Sequence, residues 1–311
     1  MLVKTHSAPA ANVAAALAAI LFGASVVAIR IAVRDIPPLS LAVLRFGQGS
    51  LVLFVGLLAF RRDLLRIDRR DLPYLALLGI IFFTIFPVTF NVGMRYVDAS
   101  RAALLIATMP LWTVVLARLV VGERLTPRQI AGVLLSIAGV AIVMIDRRAI
   151  ASGTNYSAKG ELLLIATALC GAIYNVLAKR MLVRYKGLTV TFYAMTIGTL
   201  FLVPASIVER TPGFTALSAE TLAMVIFVGV FGGALAFSLW TTALSRLSPT
   251  KVSVYINLNP VAATLLGATV LHERLSLFFA VGFAAVAAGV MTVNWTVSGE
   301  ARPRPLPSQP A

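Results

Sequence analysis

Residues 108–140 have the sequence TMPLWTVVLARLVVGERLTPRQIAGVLLSIAGV, and residues 258–290 have the sequence LNPVAATLLGATVLHERLSLFFAVGFAAVAAGV. A shift of 150 residues superimposes the two stretches without a gap and matches Pro110 with Pro260. In each stretch a glutamate follows the proline by thirteen residues. A proline in a long apolar run removes a backbone hydrogen bond, so its recurrence at one position is unexpected by chance. The match indicates that the chain contains two copies of one unit.

Further matches strengthen the repeat within these stretches and extend it toward the start of each copy. The shift of 150 residues also pairs two sets of glycines, Gly132 with Gly282 and Gly139 with Gly289. A weaker match, shifted by 148 residues, places FGASVVA at 22–28 over CGAIYNV at 170–176. The two copies therefore span most of the chain.

The composition indicates that the chain is a membrane protein. It is 59% hydrophobic and 13% charged, with a mean hydropathy of +0.92, whereas a soluble domain has about 25% charged residues. Its apolar runs are continuous, which excludes the alternating pattern of a closed β-barrel, and each is long enough to cross about 30 Å of hydrocarbon. We predict an all-α membrane protein with ten transmembrane helices, at 12–33, 38–60, 72–93, 99–121, 127–145, 160–179, 188–208, 219–244, 250–271 and 276–295.

The number of helices in each copy predicts how the copies are arranged. The first repeat, at 12–145, and the second, at 160–295, hold five helices each. Because five is odd, the second repeat must be inverted relative to the first. Inverted repeats are typical of secondary transporters, whose binding site lies near the midplane between them. The Pro-rich segment 296–311 is predicted to be a disordered cytoplasmic tail.

The net charge of +15 is explained by topology rather than by nucleic-acid binding. Most Lys and Arg fall in alternate loops, including five arginines at 61–70. The positive-inside rule then predicts a multi-pass protein of the plasma (inner) membrane with both termini in the cytoplasm. The single cysteine, Cys170, lies within the sixth predicted helix, so no internal disulfide is expected.

Pro110 and Pro260 are candidates for helix kinks. A proline inside a helix frees a backbone carbonyl, which in lipid must be satisfied by protein or by water in a cavity. A kink could serve to pack the fourth and ninth helices together, or it could open a midplane cavity for a solute. The sequence leaves both interpretations open.

Polar and aromatic side chains within the predicted helices are candidates for substrate binding. Intramembrane Asn is costly unless it faces protein or water, and residues four apart share one helix face. The alternative is that these side chains only hold helices together. The candidates are Tyr255 and Asn259 in the ninth helix, Thr108 and Trp112 in the fourth, and Tyr174 and Asn175 in the sixth. The counterparts of Tyr255 and Asn259 in the first copy are the apolar Leu105 and Met109.

Arg45 is the only charged residue well inside a predicted helix, and no Asp or Glu lies in the middle of one. A buried arginine costs at least about 2.5 kcal/mol in a membrane unless it is paired or hydrated. It could bind a substrate carboxylate, or it could act as a strut for kinked backbone carbonyls. An arginine without a midplane carboxylate favours a zwitterionic or anionic substrate over a simple cation, because a cation beside it meets repulsion in a medium of low dielectric constant.

With these motifs in place, the chain resembles the ten-helix, EamA-type members of the drug/metabolite transporter superfamily. The resemblance rests on the two stretches quoted above and on LSLAVLRFGQGSLVLF at 39–54. It implies a secondary transporter, more often an exporter, that moves a small metabolite such as an amino acid by alternating access. Four-helix exporters of the superfamily use a midplane carboxylate to exchange protons for cationic drugs, and this chain has no equivalent. The second copy departs from the pattern at 277–279, where LFF replaces the PRQ of 127–129.

Two alternative functions are a membrane-embedded enzyme and a lipid flippase or scaffold without a soluble cargo. An enzyme would need a nucleophile with its base, a metal cluster or a phosphate-binding loop. The two histidines, His6 and His272, lie at the terminus and at a helix edge, and no His-Glu-x-x-His motif is present. We therefore expect no enzymatic activity, catalytic residue, metal or cofactor. The expected partners are a small-molecule substrate and the lipid bilayer, and nucleic acid is not among them.

Overall fold

The computed structural model of the 311-residue chain describes residues 7–96, 99–148, 157–209, 217–271 and 277–295. The described residues are helical apart from short turns and contain no strand. The α-helices are α1 (Ser7–Ala32), α2 (Pro38–Phe60), α3 (Leu72–Gly79), α4 (Phe86–Gly93), α5 (Ala99–Ile106), α6 (Met109–Val120), α7 (Pro127–Arg148), α8 (Ala158–Arg184), α9 (Gly187–Val208), α10 (Ala219–Phe227), α11 (Ala236–Arg246), α12 (Pro249–Ser253), α13 (Leu258–Leu271) and α14 (Leu277–Asn294). The all-α prediction is confirmed, and the predicted tail at 296–311 lies outside the described residues.

Several helical stretches are long and apolar enough to cross a membrane. Within the described ranges there are six of these, Pro9–Ala32, Pro38–Phe60, Arg69–Gly93, Ala158–Arg184, Gly187–Val208 and Ala219–Arg246. Shorter apolar helices occur at Met109–Val120, Pro127–Ile142 and Ala280–Asn294. Large apolar side chains stay exposed on their outer faces, such as Phe60 (84%) and Val208 (83%). A surface of this kind is costly in water and suits hydrocarbon.

The fourth and ninth predicted helices are interrupted rather than merely bent. α5 ends at Ile106 and α6 begins at Met109, while a 3₁₀ segment, Val254–Asn257, separates α12 from α13. Pro110 therefore stands in the first turn of α6, and Pro260 stands in the first turn of α13. Backbone N–H groups of a first turn have no partner within the helix, so proline costs little there.

Two π-helical segments occupy equivalent positions in the two copies. Ile80–Ile85 lies between α3 and α4, and Val228–Leu235 lies between α10 and α11. A shift of about 148 residues relates them, the same shift that relates FGASVVA to CGAIYNV. π-Helical turns widen the backbone and are frequent at functional sites. Nothing in the apolar pattern had predicted them.

Helices α7 and α14, which are equivalent in the repeat, run antiparallel along a line of glycines. A Cβ atom added to Gly132 would lie 2.9 Å from the carbonyl oxygen of Gly289. A Cβ atom added to Gly139 would lie 2.7 Å from the carbonyl oxygen of Gly282. The early glycine of each helix thus contacts the late glycine of the other, which only antiparallel helices allow.

The close approaches of α1 and α8 also follow the repeat. Gly23 of α1 packs against the backbone of Asn259, with its added Cβ 2.7 Å from that carbonyl oxygen. Gly171 of α8, the counterpart of Gly23, packs against the side chain of Met109, the counterpart of Asn259. The two equivalent glycines therefore contact equivalent helices. Gly23 allows α1 to pack against α13 of the second copy, and Gly171 allows α8 to pack against α6 of the first copy.

Candidate functional site

An aromatic cluster lies in the largest buried core, with Phe237 of α11 at its middle. The ring centroid of Phe237 is 4.8 Å from that of Phe22, 5.0 Å from that of Phe83 and 5.5 Å from that of Phe82. Helices α1, α2, α8 and α11 and the first π-helical segment all contribute to it. We define the aromatic cluster as Phe22, Phe46, Phe82, Phe83, Tyr174, Phe237 and Trp240.

Arg45 of α2 borders the aromatic cluster and contacts the second π-helical segment. Its guanidinium carbon lies 5.3 Å from the centroid of Phe46 and 5.9 Å from that of Phe237, within cation–π range. Its Nη2 donates a 3.0 Å hydrogen bond to the carbonyl oxygen of Gly232. Its Nε is buried and has no hydrogen-bond partner. One edge of the guanidinium is therefore fixed to the backbone, while its Nε–H is unused.

Tyr174 and Asn175 of α8 bring two more unused polar atoms to the aromatic cluster or to its border. Tyr174 is fully buried with its ring 4.6 Å from Phe82, and its hydroxyl has no partner. The Oδ1 of Asn175 accepts a 2.9 Å hydrogen bond from Nε1 of Trp240, and its Nδ2 has no partner. Buried polar groups are nearly always hydrogen-bonded, so three unpartnered atoms around one cluster require an explanation. A bound polar solute or water supplies one.

Two other predicted residues, Tyr255 and Asn259, are placed less regularly than the sequence suggested. Tyr255 is 6% exposed and belongs to the same buried core, but it lies in the 3₁₀ segment. Asn259 is partly buried in the first turn of α13. Because the helix type changes between them, a spacing of four does not place them on one continuous α-helical face. Neither residue is part of the aromatic cluster.

The first-copy candidates, Thr108 and Trp112, lie at the break between α5 and α6. The Thr108 hydroxyl donates a 2.6 Å hydrogen bond to the carbonyl oxygen of Leu105, so it satisfies the backbone where the helix is interrupted. Trp112 is 37% exposed on α6. These two residues are separate from the aromatic cluster, whereas Arg45, Tyr174 and Asn175 are brought together by it.

The neighbouring Asn257, which was not a candidate from the sequence, joins the 3₁₀ segment to α7. Its Nδ2 donates a 2.8 Å hydrogen bond to Oγ of Ser136, and both side chains are fully buried. Ser136 in turn donates to the carbonyl oxygen of Val133. Asn257 thus connects the interrupted helix to the α7–α14 pair.

Of the aromatic cluster, only Tyr174 was a candidate from the sequence. The other six members were not predicted: Phe22, Phe46, Phe82, Phe83, Phe237 and Trp240. One signal was present, since Phe237 and Trp240 are three apart and share a helix face. The role of Gly232 could not be predicted from its residue type, because it contributes only a backbone carbonyl. In the described part of the chain, no group of three or more His, Cys, Asp or Glu side chains could hold a metal ion.

The sequence profile of the EamA-like transporter family matches residues 10–145 and 158–295. A probable terminal-alkyne amino-acid exporter of Streptantibioticus cattleyicolor is 33% identical over 271 residues, covering 87% of this chain and 88% of that protein. An uncharacterized transporter of Archaeoglobus fulgidus is 29% identical over 275 residues, covering 88% of this chain and 94% of that protein.

A protein of known crystal structure shares the fold, with a TM-score of 0.78 over 91% of this chain and 95% of its own. At 22% identity this likeness concerns the fold alone. The two profile matches, by contrast, cover nearly the whole chain and coincide with the two copies seen in the sequence. The resemblance noted from the motifs is confirmed, and the chain belongs to the EamA-like transporter family.

Proposed function

We propose that the protein is a secondary transporter that exports a small zwitterionic or anionic metabolite of the amino-acid type. The observation that carries this proposal is the set of three buried polar atoms without partners, Arg45 Nε, Tyr174 Oη and Asn175 Nδ2. All three belong to the aromatic cluster or border it. The chain has no carboxylate in the middle of a predicted helix that would neutralise the arginine.

The chemistry of these groups suits an amino acid. A substrate carboxylate accepts hydrogen bonds from Arg45 Nε and Asn175 Nδ2, and charge-assisted bonds of this kind are the stronger ones. The faces of Phe22, Phe237 and Trp240 provide apolar surface for a side chain, and aromatic faces also attract an ammonium group. A bare cation next to Arg45 would instead meet repulsion in a medium of low dielectric constant.

Alternating access is the mechanism that fits this architecture. We assign ten membrane crossings to two inverted repeats, 12–145 and 160–295, followed by a cytoplasmic tail at 296–311. The antiparallel pair α7 and α14 supports inversion, and the interruptions at Pro110 and Pro260 provide places where the halves can bend. Thr108, Trp112, Tyr255 and Asn259 would then line the access path rather than the aromatic cluster.

Two further observations bear on direction and topology. The relative from Streptantibioticus cattleyicolor is described as a probable amino-acid exporter, which supports both the substrate class and export. The excess of Lys and Arg in alternate loops supports cytoplasmic termini in the inner membrane. Reporter fusions at the C-terminus and in the loop 61–71 test the orientation, and an external signal from either would refute it.

The test of the substrate class is counterflow into proteoliposomes with three matched compounds. These are leucine, the amine that lacks leucine's carboxyl group, and the carboxylic acid that has hydrogen in place of leucine's amino group. We expect leucine to exchange fastest, the acid next and the amine least. Arg45→Gln should lower leucine exchange about 10–100-fold, the equivalent of one lost charge-assisted hydrogen bond. Empty liposomes and a monodispersity check on the variant are the controls.

The outcomes separate the possible roles of Arg45. Preferential movement of the amine would refute the charge argument. Equal loss of exchange for all three compounds, accompanied by a lower melting temperature, would assign Arg45 to the backbone of the π-helical segment alone. Absence of exchange for any soluble compound would favour a lipid flippase instead.

A further inference from the structure

A cleft of about 390 Å³ lies at one end of the helices, away from the aromatic cluster. The loop after α2 forms one wall of the cleft, and the turn between α8 and α9 forms the other. The side chains that matter for its chemistry are Arg66, Val183, Arg184, Lys186 and Thr189. It is thus located where two apolar helices, α2 and α8, come to an end.

The walls of the cleft are tied together by side-chain hydrogen bonds. Thr189 Oγ1 donates to the carbonyl oxygen of Leu64 at 2.9 Å, and Tyr193 Oη donates to that of Leu65 at 2.7 Å. Tyr185 Oη donates to Asp71 at 2.6 Å, and the carboxylate's acceptance of this bond raises the pKa of Tyr185. The phenol therefore stays protonated. A cleft held from several sides is formed before any ligand arrives, which lowers the entropic cost of binding.

The charges of the cleft leave two cations in excess. Asp63, the one carboxylate that lines the cleft, pairs with Arg61 at 3.2 Å, and the neighbouring Asp71 pairs with Arg184 at 2.5 Å. A third carboxylate, Asp68, does not line the cleft, and its Oδ1 accepts a 3.0 Å hydrogen bond from the backbone N–H of Arg70. Arg66 and Lys186 are exposed and have no side-chain partner among the described residues. An anion with several oxygen atoms would satisfy both.

Exposed apolar side chains lie beside these cations, and a soluble anion would make no use of them. Val183 is 70% exposed and lines the cleft, and Phe60, at the end of α2, is also largely exposed. A basic site next to lipid-facing side chains at the end of a membrane helix matches an amphiphile with a charged headgroup. The acyl chains of such a molecule would extend along the outer faces of α2 and α8.

We infer that this cleft binds the phosphate of an anionic phospholipid, with Arg66 and Lys186 as its ligands. The bound lipid would hold the loop after α2 to the α8–α9 turn and so join the two copies at the membrane surface. This site does not depend on the transported substrate. It also differs from a diffuse positive surface, because only two of the many basic residues carry it.

Native mass spectrometry of the detergent-solubilised full-length chain, titrated with phosphatidylglycerol, tests the site. The variant Arg66→Gln/Lys186→Gln should bind the lipid about 25-fold more weakly, since each cation near an anionic headgroup contributes about fivefold. The matched control is Arg69→Gln/Arg70→Gln, which removes two exposed arginines of the same loop that do not line the cleft. The control should bind within about twofold of the unchanged protein.

Three results would overturn the proposal. Equal weakening in both double variants would show that the loop attracts lipid only through its overall charge. Unchanged binding in the cleft variant would remove Arg66 and Lys186 as ligands. Displacement of the lipid by millimolar inorganic phosphate would show that the cleft binds a soluble anion and needs no acyl chains. All four substituted residues are exposed, so folding of the variants is expected and a melting curve verifies it.

Discussion

The contact between α7 and α14 predicts that Gly139→Ala destabilises the protein. The new Cβ atom would lie 2.7 Å from the carbonyl oxygen of Gly282 and 2.7 Å from the amide nitrogen of Val286. An ordinary contact is about 3.4 Å or longer, so the helices must separate by roughly 0.7 Å. Both neighbours are backbone atoms, and neither can rotate away.

The size of the effect follows from two opposing contributions. Overpacking of this kind costs about 1–3 kcal/mol, while replacing a helical glycine with alanine contributes up to about 1 kcal/mol in the other direction. Membrane helices associate through close packing rather than through the hydrophobic effect, so separation is not compensated elsewhere. We expect a net loss of about 1–2 kcal/mol.

Gly56→Ala provides the matched control for this change. Gly56 also lies inside an apolar helix, α2, but no atom lies within 4 Å of an added Cβ. The control should be neutral or slightly stabilised by its better helix propensity. Thermal unfolding of both variants in the same detergent measures the difference, and about 2–4 °C per kcal/mol is expected. If the two variants shift equally in the same direction, α7 and α14 do not cross as closely as described.

Three further substitutions test other contacts. Glu209 Oε2 accepts hydrogen bonds from the backbone N–H groups of the first turn of α2 at 2.8 and 3.2 Å, so Glu209→Gln should cost about 1–2 kcal/mol of unfolding free energy. Its exposed partner Arg95 should matter less, and a comparable loss for Arg95→Gln would contradict the capping role. Lys179 Nζ donates to the carbonyl oxygens of residues 244, 245 and 247, so Lys179→Met should lower stability by about 2–3 kcal/mol, and retention of the melting temperature would argue against it. Pro260→Ala should reduce transport in proteoliposomes more than it reduces folded yield, because proline in a first turn adds little stability; a parallel loss of both would leave only a packing role.

The limits of the helices could be predicted because the membrane imposes them. A run of apolar residues must be about 20 long to satisfy its backbone across hydrocarbon, and the predicted helices at 38–60 and 72–93 coincide with α2 and with the stretch from Leu72 to Gly93. The family could be predicted for a different reason, because its motif is local in the sequence. Its motif pairs a proline with a glutamate thirteen residues later, a pattern visible without any structure.

The interruptions and the aromatic cluster were harder to predict, because they depend on contacts between distant parts of the chain. The π-helical segment Val228–Leu235 packs against α2, and its Gly232 carbonyl accepts from Arg45, 187 residues away. Arg45 stood out as a lone charge, but an arginine in an apolar run carries no information about which carbonyl it will reach. Likewise, the rings of Phe22 and Phe237 lie in different copies, and only packing brings them together.

The reciprocal glycine contacts between α7 and α14 give this helix pair the symmetry of a dimer interface. Each helix offers the other the same surface, so the contact is isologous, as in a two-fold symmetric dimer. The chain in effect contains a homodimer interface closed within one polypeptide.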